Sequence, residues 1–444
     1  MKKTGWLFLV LIAGFSLCPA QDAASTVVLR PRPAKDTVLA LPDFQPKAGQ
    51  AEASLSGPLK TLNETLWNDL EYAGFFSLLA RSYYPARRIG EKEDMVFTEW
   101  QDASFKVDFV VIGNARIEGG ALVVECRVFD ARTEEQVLGK QFKAQPSYAR
   151  SIAHLVADKI VSVLTAGASQ GIACTRVLCE RKTPTGKEIA VMDYDGYNLE
   201  NLTSDGGINL TPVWHPDGER ICFTSFRGGN PQLYIMSVSG KNAAAFPIAG
   251  GMLTTPAFSR GGTEIAFSGR LDNASDTDIY VSGIDGANPR NITHNPGIDV
   301  SPCWSPTDKQ LAFISGRSGN PQLYLCDAFG AGLDRILTEG GYATSPDWSP
   351  DGRYIAFAWK PDRNSNFDIY VVETATRKLF QITHGAGNND NPTWAPDGRH
   401  LVFQSDRTGS TELFTMLYDG TLLRQITRGQ GCSNPHWSGY LGKK

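Results

Sequence analysis

The stretch Ser345-Pro-Asp-Trp-Ser-Pro-Asp-Gly352, followed by Ile355-Ala-Phe357, recurs in altered form through the second half of the chain. Each copy has an aromatic anchor at the position of the tryptophan, 43 to 46 residues from the next anchor. The anchors are Trp214, Phe258, Trp304, Trp348, Trp394 and Trp437. A repeat of this length with Pro-Asp-Gly turns is typical of a propeller blade. Six anchors predict six blades.

Each repeat predicts four short strands. The Pro-x-Trp segment forms the first and the Ile-Ala-Phe segment the second. Segments such as Asp278-Ile-Tyr-Val281 and Gln381-Ile-Thr383 form the third and fourth. The first repeat begins at Ile172-Ala-Cys-Thr175, which we predict to be its second strand, equivalent to Ile-Ala-Phe. No Pro-x-Trp strand precedes it, and that strand stands instead at the C-terminus, in Pro435-His-Trp437. We therefore predict that residues 172–444 form a six-bladed β-propeller closed by its own last strand, which removes open sheet edges.

Residues 37–171 lack the repeat and predict a separate α/β domain. Period-2 segments indicate strands and a leucine stripe at helical spacing indicates an amphipathic helix. The predicted strands cover residues 37–41, 107–112, 121–129 and 136–143, and the predicted helices cover residues 59–79 and 147–164. The predicted fold class is thus an N-terminal α/β domain followed by an all-β six-bladed propeller.

The first twenty residues have the pattern of a secretory signal. Lys2 and Lys3 precede an uncharged apolar stretch, and Ala20 offers a small residue before a cut. We predict a signal peptide over residues 1–20, a flexible tail over residues 21–36, and a periplasmic product with no membrane span. Acylation of Cys18 remains the alternative, although Leu17 is bulky where lipoprotein signals have a small residue.

Composition excludes several classes of function. The 444 residues carry 43 Lys and Arg against 47 Asp and Glu, a formal net charge of −4, so no general basic field favours nucleic acid. Seven cysteines follow the signal without a C-x-x-C pair, which predicts neither a zinc site nor a disulfide framework. We expect most of them to be small buried residues, and their pairing stays open.

No catalytic, metal-binding or cofactor-binding residues are predicted. The Gly167-Ala-Ser-Gln-Gly171 segment matches a hydrolase elbow, but a predicted helix precedes it and a strand follows, the reverse of the required order. The six histidines have no metal-ligand spacing. Two alternatives to a binding protein stay open: a periplasmic propeller hydrolase, and a propeller that binds sugar or peptidoglycan directly.

One end of the predicted channel carries the variable loops. Approach segments, the residues that lead into each Pro-x-Trp strand, are divergent and flanked by glycine; they include residues 250–255, 297–300, 341–344, 387–390 and 430–433. Arginines follow the second strands at the same end: Arg227, Arg270, Arg317, Arg363 and Arg407. These arginines either pair with neighbouring carboxylates or meet an acidic partner. Variable loops on a regular scaffold favour recognition of another molecule.

The chain resembles the TolB family of the Tol-Pal system. The resemblance rests on the secretory signal, the domain order, Asp193-Tyr-Asp-Gly-Tyr-Asn198, the repeated blades and the terminal Asn434-Pro-His-Trp-Ser-Gly-Tyr-Leu441. It implies a monomeric periplasmic adaptor without enzyme activity or cofactor, which supports outer-membrane integrity and constriction during cell division.

The resemblance also implies two partners. The family binds the peptidoglycan-associated lipoprotein at the mouth of the propeller, which falls here on Met252, Thr255 and Val300, with Ser301 beside them. The family's N-terminal tail binds the inner-membrane protein TolA, and the corresponding residues here are Thr26, Val27, Val28 and Leu29. Arg30-Pro-Arg-Pro33 interrupts this strand-like tail, since proline cannot donate to a ladder.

Overall fold

The structure is a computed structural model that describes residues 37–102, 104–240, 242–248, 250–271, 274–337 and 340–441. They divide into two compact units, the first comprising residues 37–71 with Phe75–Ala166 and the second comprising Tyr72–Gly74 with residues 167–441. The predicted signal peptide and tail lie outside the described residues. No helix within these ranges is long and apolar enough to cross a membrane.

The first unit is a mixed sheet with two helices. Its sheet runs β3-β1-β4-β5-β6, with β2 also paired to β4; β1 is parallel to both its neighbours, and β4 to β6 are antiparallel. The elements are β1 (Val38–Ala40), β2 (Gln45–Pro46), α1 (Glu52–Tyr72), β3 (Ser77–Leu78), β4 (Phe109–Glu118), β5 (Ala121–Asp130), β6 (Gln136–Ala144) and α2 (Ala149–Leu164). The predicted α/β fold class of this region is confirmed.

The bounds of α1 differ from the predicted helix over residues 59–79. Buried leucines every three or four residues do form one stripe, but the helix starts earlier, at Glu52, and includes Pro58. It ends at Tyr72 because Gly74, at φ +64°, reverses the chain, and Ser77–Leu78 then forms β3. The apolar pattern therefore runs on past the helix into a strand.

The second unit is a ring of six four-stranded antiparallel sheets. Blade 6 contains β7 (Arg176–Lys182), β8 (Lys187–Asp193), β9 (Glu200–Asn201) and, from the C-terminus, β30 (Cys432–Trp437). Blade 1 contains β10 (Asn209–Trp214), β11 (Arg220–Ser225), β12 (Gln232–Ser237) and β13 (Ala244–Ala245); blade 2 contains β14 (Met252–Phe258), β15 (Glu264–Arg270), β16 (Asp278–Gly283) and β17 (Arg290–Asn291). Blade 3 contains β18 (Asp299–Trp304), β19 (Gln310–Ser315), β20 (Gln322–Asp327) and β21 (Asp334–Arg335). Blade 4 contains β22 (Tyr342–Trp348), β23 (Tyr354–Lys360), β24 (Asp368–Glu373) and β25 (Leu379–Gln381). Blade 5 contains β26 (Asn389–Trp394), β27 (His400–Ser405), β28 (Glu412–Leu417) and β29 (Arg424–Gln425).

The last strand of the chain closes the ring, as its position predicts. In blade 6, β30 pairs with β7, with Trp437 opposite Val177. The prediction that Ile172-Ala-Cys-Thr175 is the second strand of this blade is wrong. These residues form a turn in which Thr175 N donates to Ile172 O at 3.0 Å, and the strand begins at Arg176. The predicted strand started too early because Ile172-Ala-Cys-Thr175 resembles the Ile-Ala-Phe motif.

Stacked aromatic pairs fill the middle of five blades. The second strand contributes a fully buried phenylalanine, and the third strand places an aromatic ring directly opposite, with centroids 5.8 to 6.2 Å apart. The pairs are Phe223–Tyr234, Phe267–Tyr280, Phe313–Tyr324, Phe357–Tyr370 and Phe403–Phe414. Cross-strand aromatic pairs stabilise a sheet, so the repeat encodes its own packing. Blade 6 has Cys179 opposite Ala190 at this level.

Candidate functional site

Every first strand bulges at the residue before its proline. These six residues have a left-handed backbone, with φ between 46° and 55°, and the ladder to the second strand shifts register there. They are Thr211, Thr255, Ser301, Ser345, Asn391 and Asn434. Such values are costly for residues other than glycine. Since the first strands surround the channel in a propeller, the bulges place a ring of hydroxyl and amide groups along its wall.

Hydrogen bonds to second strands hold four of the six bulges, at Thr211, Thr255, Ser301 and Asn434. Ser268 Oγ lies 2.5 Å from Thr255 Oγ1 and accepts from Ser301 N at 3.2 Å, so one hydroxyl joins blades 2 and 3. In blade 6, Glu180 accepts from Thr211 N at 2.9 Å and from Asn434 Nδ2 at 2.6 Å. The channel wall is thus held by bonds that run from one blade to the next.

The approach segments are fixed at their bases by a polar residue near the start of each third strand, which is half-buried in blade 1 and buried in the other five blades. Asp278 is an example: it accepts from Thr293 Oγ1 at 2.9 Å and from Asn295 N at 3.2 Å. The equivalent residues in the other blades are Glu188, Gln232, Gln322, Asp368 and Glu412, each bonded to the next approach segment. The channel end onto which these segments open, the mouth, is therefore preorganised.

Four successive blades present an apolar residue at the mouth. The position six residues before each anchor is occupied by Ile208, Met252, Ile298 and Tyr342 in blades 1 to 4. Ile208, Met252 and Ile298 are 47%, 40% and 57% exposed. We call these four residues the apolar arc. Exposed apolar residues grouped on a rigid rim are typical of a protein-binding surface.

Tyr342 is the aromatic member of the arc, and its side chain is held in place. Its Oη accepts a hydrogen bond from Arg363 Nε at 2.6 Å, and Lys360 Nζ lies 5.4 Å from the ring centroid. A tyrosine fixed in this way loses little side-chain entropy on binding, which favours it as an anchor for a partner.

The predicted mouth residues lie on the neighbouring blades 2 and 3. Met252 is exposed at the first position of β14, and Val300 is half-buried against the core between blades 3 and 4. Thr255 and Ser301 meet at Ser268. The predicted tail residues Thr26, Val27, Val28 and Leu29 lie outside the described residues. The partner-binding roles of both groups stay predictions.

Of the apolar arc, the residues predicted from the family include only Met252. Ile208, Ile298 and Tyr342 occupy the position of Met252 in their own blades. Counting back six residues from each anchor would have grouped them. The sequence contains this information because the number of residues between the mouth and the anchor is the same in every first strand.

Three of the five recurrent arginines support the rim. Arg227, Arg317 and Arg407 each donate to a serine hydroxyl two residues earlier and lie over the aromatic pair of their blade. The same guanidinium groups contact Asn209, Asp299 and Asn389, which begin the first strands. Only some partners are carboxylates, notably Asp299 at 2.9 Å from Arg317. These contacts favour a structural role for the three.

The described residues contain neither a metal-binding cluster nor a hydrolase elbow. Within these parts of the chain, no group of three or more His, Cys, Asp or Glu side chains could hold a metal ion. The Gly167-Ala-Ser-Gln-Gly171 segment follows α2 and precedes β7, and Ser169 Oγ accepts from Gly171 N at 3.1 Å. A serine placed in such a turn is not the exposed nucleophile of a strand-to-helix elbow.

Comparison with known families now places the chain. The model of the TolB beta propeller domain matches residues 165–365 and 341–443, and that of the TolB amino-terminal domain matches residues 27–137. The chain belongs to the TolB family. The resemblance drawn from the sequence is thereby confirmed, and so is the predicted fold class.

Relatives and a solved structure agree with this TolB assignment. The Tol-Pal system protein TolB of Anaeromyxobacter dehalogenans strain 2CP-C is 33% identical over 281 residues, 60% of this chain and 62% of that protein. The protein TolB homolog of Chlorobium luteolum is 32% identical over half of each chain. The matches thus span less than two thirds of these curated relatives. The crystal structure of TolB from Acinetobacter baumannii shares the fold, with a TM-score of 0.78 over 91% of this chain and 97% of that one, at 22% identity.

Proposed function

We propose that this chain is a periplasmic adaptor of the Tol-Pal system. It binds the peptidoglycan-associated lipoprotein through the propeller mouth and a TolA-like inner-membrane protein through its N-terminal tail. In this role it supports outer-membrane integrity and constriction during division. Membership of the TolB family and the naming of its relatives as Tol-Pal system proteins support the proposal.

The apolar arc is the observation that carries the proposal. Its members stand on four adjacent blades, and three of them are at least 40% exposed, while buried or half-buried polar groups hold the segments beneath them. A partner that covers the arc removes apolar area from water at about 25 cal/mol per Å² without first ordering the loops. This favours binding of a folded protein over catalysis, and Tyr342 alone offers little stacking surface for a sugar.

The predicted leader and tail support the remaining parts of the proposal. A signal peptide cut after Ala20 would deliver the chain to the periplasm, where both partners are accessible. The alternating segment Thr26–Leu29 is short, so strand addition to a TolA-like partner would involve a few residues only.

Binding to the purified lipoprotein, without its lipid, tests the mouth. We expect Met252→Arg combined with Ile298→Arg to weaken binding at least tenfold in isothermal titration calorimetry, because two charges enter a surface that the partner must desolvate. Thr255→Arg and Val300→Arg test the residues predicted from the family in the same way. A tenfold loss corresponds to about 1.4 kcal/mol.

Phe329→Arg is the matched control. Phe329 is 78% exposed, but it lies in the turn after a third strand, which is the end opposite the mouth in an antiparallel blade. We expect this variant to bind like the unmodified chain. Equal binding by the arc variants would exclude the mouth as the site, and failure of the unmodified chain to bind the lipoprotein would overturn the proposed function.

Removing residues 21–33 tests the tail separately. This deletion should abolish binding to the periplasmic domain of a TolA-like protein and leave lipoprotein binding intact, because the mouth is built from the propeller alone. Retained binding to the TolA-like domain would exclude the tail as its site.

A further inference from the structure

Two cysteines lie side by side where the ring closes. Cys179 is on β7 and Cys432 is on β30, the first and last strands of the propeller. Cys432 pairs with Arg181, two residues along β7 from Cys179. Since alternate residues of a strand share a face, both thiols lie on the same face of blade 6.

Blades 2 and 4 hold apolar residues at both of these positions, whereas blades 1, 3 and 5 hold Asn209, Asp299 and Asn389 at the position of Cys432. The position of Cys179 is that of the buried phenylalanine of blades 1 to 5, and Cys432 stands five residues before its anchor, like Leu253 and Ala343. Leu253 packs with Phe267 in one apolar cluster, and Ala343 packs with Phe357 in another. In blades 2 and 4 the two positions therefore belong to one apolar cluster, and in blade 6 two thiols occupy them.

The register of the two strands places the cysteines diagonally opposite each other, and both side chains are fully buried. The hydrogen bond with Cys432, followed by burial, raises the pKa of Cys179 well above its usual range. The pair is thus adjacent but unreactive once the blade is assembled, because the thiolate is the attacking species.

We propose that Cys179 and Cys432 form a disulfide bond that covalently closes the propeller. The inference rests on the proposed function in one respect: the periplasm is an oxidising compartment, in which disulfide bonds persist. The co-reactant is a disulfide oxidant, either an oxidoreductase or oxidised glutathione. One thiolate attacks a sulfur of the oxidant and releases one thiol; the second thiolate then attacks the mixed disulfide and releases the other. Two protons and two electrons leave the cysteines, and the oxidant is reduced to two thiols.

The bond must form while the blade is still assembling. An oxidant cannot reach two fully buried sulfurs, and a thiol of raised pKa reacts slowly. We therefore expect oxidation during folding, before β30 has docked fully on β7. Once formed, the bond joins strands far apart in the chain and restricts the unfolded state strongly.

Refolding in a mixture of reduced and oxidised glutathione tests the inference. The refolded chain is denatured, alkylated and digested with trypsin without reduction. We expect a cross-linked product of peptides 177–181 and 429–443, whose mass is two hydrogens below the sum of the two peptides. The oxidised chain should melt about 5 °C or more above the reduced chain. Cys432→Ser should lose both the link and the response to reductant.

Cys326→Ser is the matched control, because Cys326 is also buried but lies in blade 3. This variant should keep the link and the shift in melting temperature. Alkylation of both Cys179 and Cys432 in refolded chain, or a link between any other pair, would overturn the inference. Formation of the link in a chain that fails to bind the lipoprotein would support the inference while overturning the proposed function.

Discussion

Replacing Glu180 with alanine should destabilise the propeller because this buried carboxylate joins its own strand to three others, in two blades. Glu180 lies on β7, and its side chain is 1% exposed. It accepts hydrogen bonds from Thr211 N at 2.9 Å, from Asn434 Nδ2 at 2.6 Å and from Lys187 Nζ at 2.7 Å. Alanine would leave a backbone donor, an amide and an ammonium group without their acceptor at the point where the ring closes.

The magnitude follows from the number of lost partners. A buried donor left unpaired costs about 1 to 3 kcal/mol. Lys187 is 40% exposed, so its ammonium group can bind water instead. We therefore expect Glu180→Ala to lower the free energy of unfolding by about 3 kcal/mol. Glu180→Gln keeps an oxygen for Thr211 N and Asn434 but loses the charge that faces Lys187, so we expect a loss of about 1 to 2 kcal/mol.

Urea unfolding followed by tryptophan fluorescence, in reducing buffer, measures both losses. Glu200→Ala is the control, since Glu200 pairs with Arg176 at 3.0 Å but is 60% exposed. An exposed ion pair contributes at most about 1 kcal/mol. If Glu180→Ala stays within about 0.5 kcal/mol of the unmodified chain, the closing contact does not depend on this carboxylate.

Two further predictions concern single positions. A Cβ at Gly196 would lie 1.9 Å from Ile426 O, whereas a Cβ at Gly229, which has the same φ of +92°, would have nothing within 4 Å. Gly196→Ala should therefore have a melting temperature well below that of Gly229→Ala. Equal melting temperatures would contradict the clash. Burial raises the pKa of Asp347 from 3.8 to about 6, so between these values the folded chain holds a proton that the unfolded chain lacks, and stability falls as pH rises. Asp347→Asn keeps an oxygen that accepts from Trp394 N. In urea unfolding, this variant should be more stable than the unmodified chain by about 1 to 3 kcal/mol at pH 7 but not at pH 4. A stability difference that does not depend on pH would refute the buried carboxylate as the cause.

The sequence was sufficient for the blade count and for the closing strand. Both depend on the regular spacing of anchors such as Trp348 and Trp437, and a four-stranded blade has little freedom to change that spacing. The predicted start at Ile172 was wrong because a short apolar motif carries no information about the turn that Thr175 forms. The end of α1 was misplaced for a similar reason, since leucine periodicity continues where Gly74 already reverses the chain.

The site was less predictable than the fold. Exposure of Ile208 and Ile298 depends on how far each approach segment rises above the rim, and that depends on buried partners in the preceding blade. The left-handed backbone of Thr255 was also not predictable from the sequence, because a Thr-Pro pair in a strand pattern indicates an extended chain. Such departures from local preference need contacts from distant residues to hold them.

The six bulges explain why the mouth depends on an intact ring. A left-handed conformation at a residue such as Thr255 costs about 1 to 2 kcal/mol, so the channel wall stores strain at six places. The compensating bonds from Ser268 and Glu180 run between neighbouring blades, and the bonds from Glu180 also cross the junction of β7 and β30. Opening that junction would remove support from both sides of blade 6, and the relief of strain could then spread around the channel toward the apolar arc. Ring closure is therefore a condition for the shape of the mouth as well as for the stability of the sheet edges.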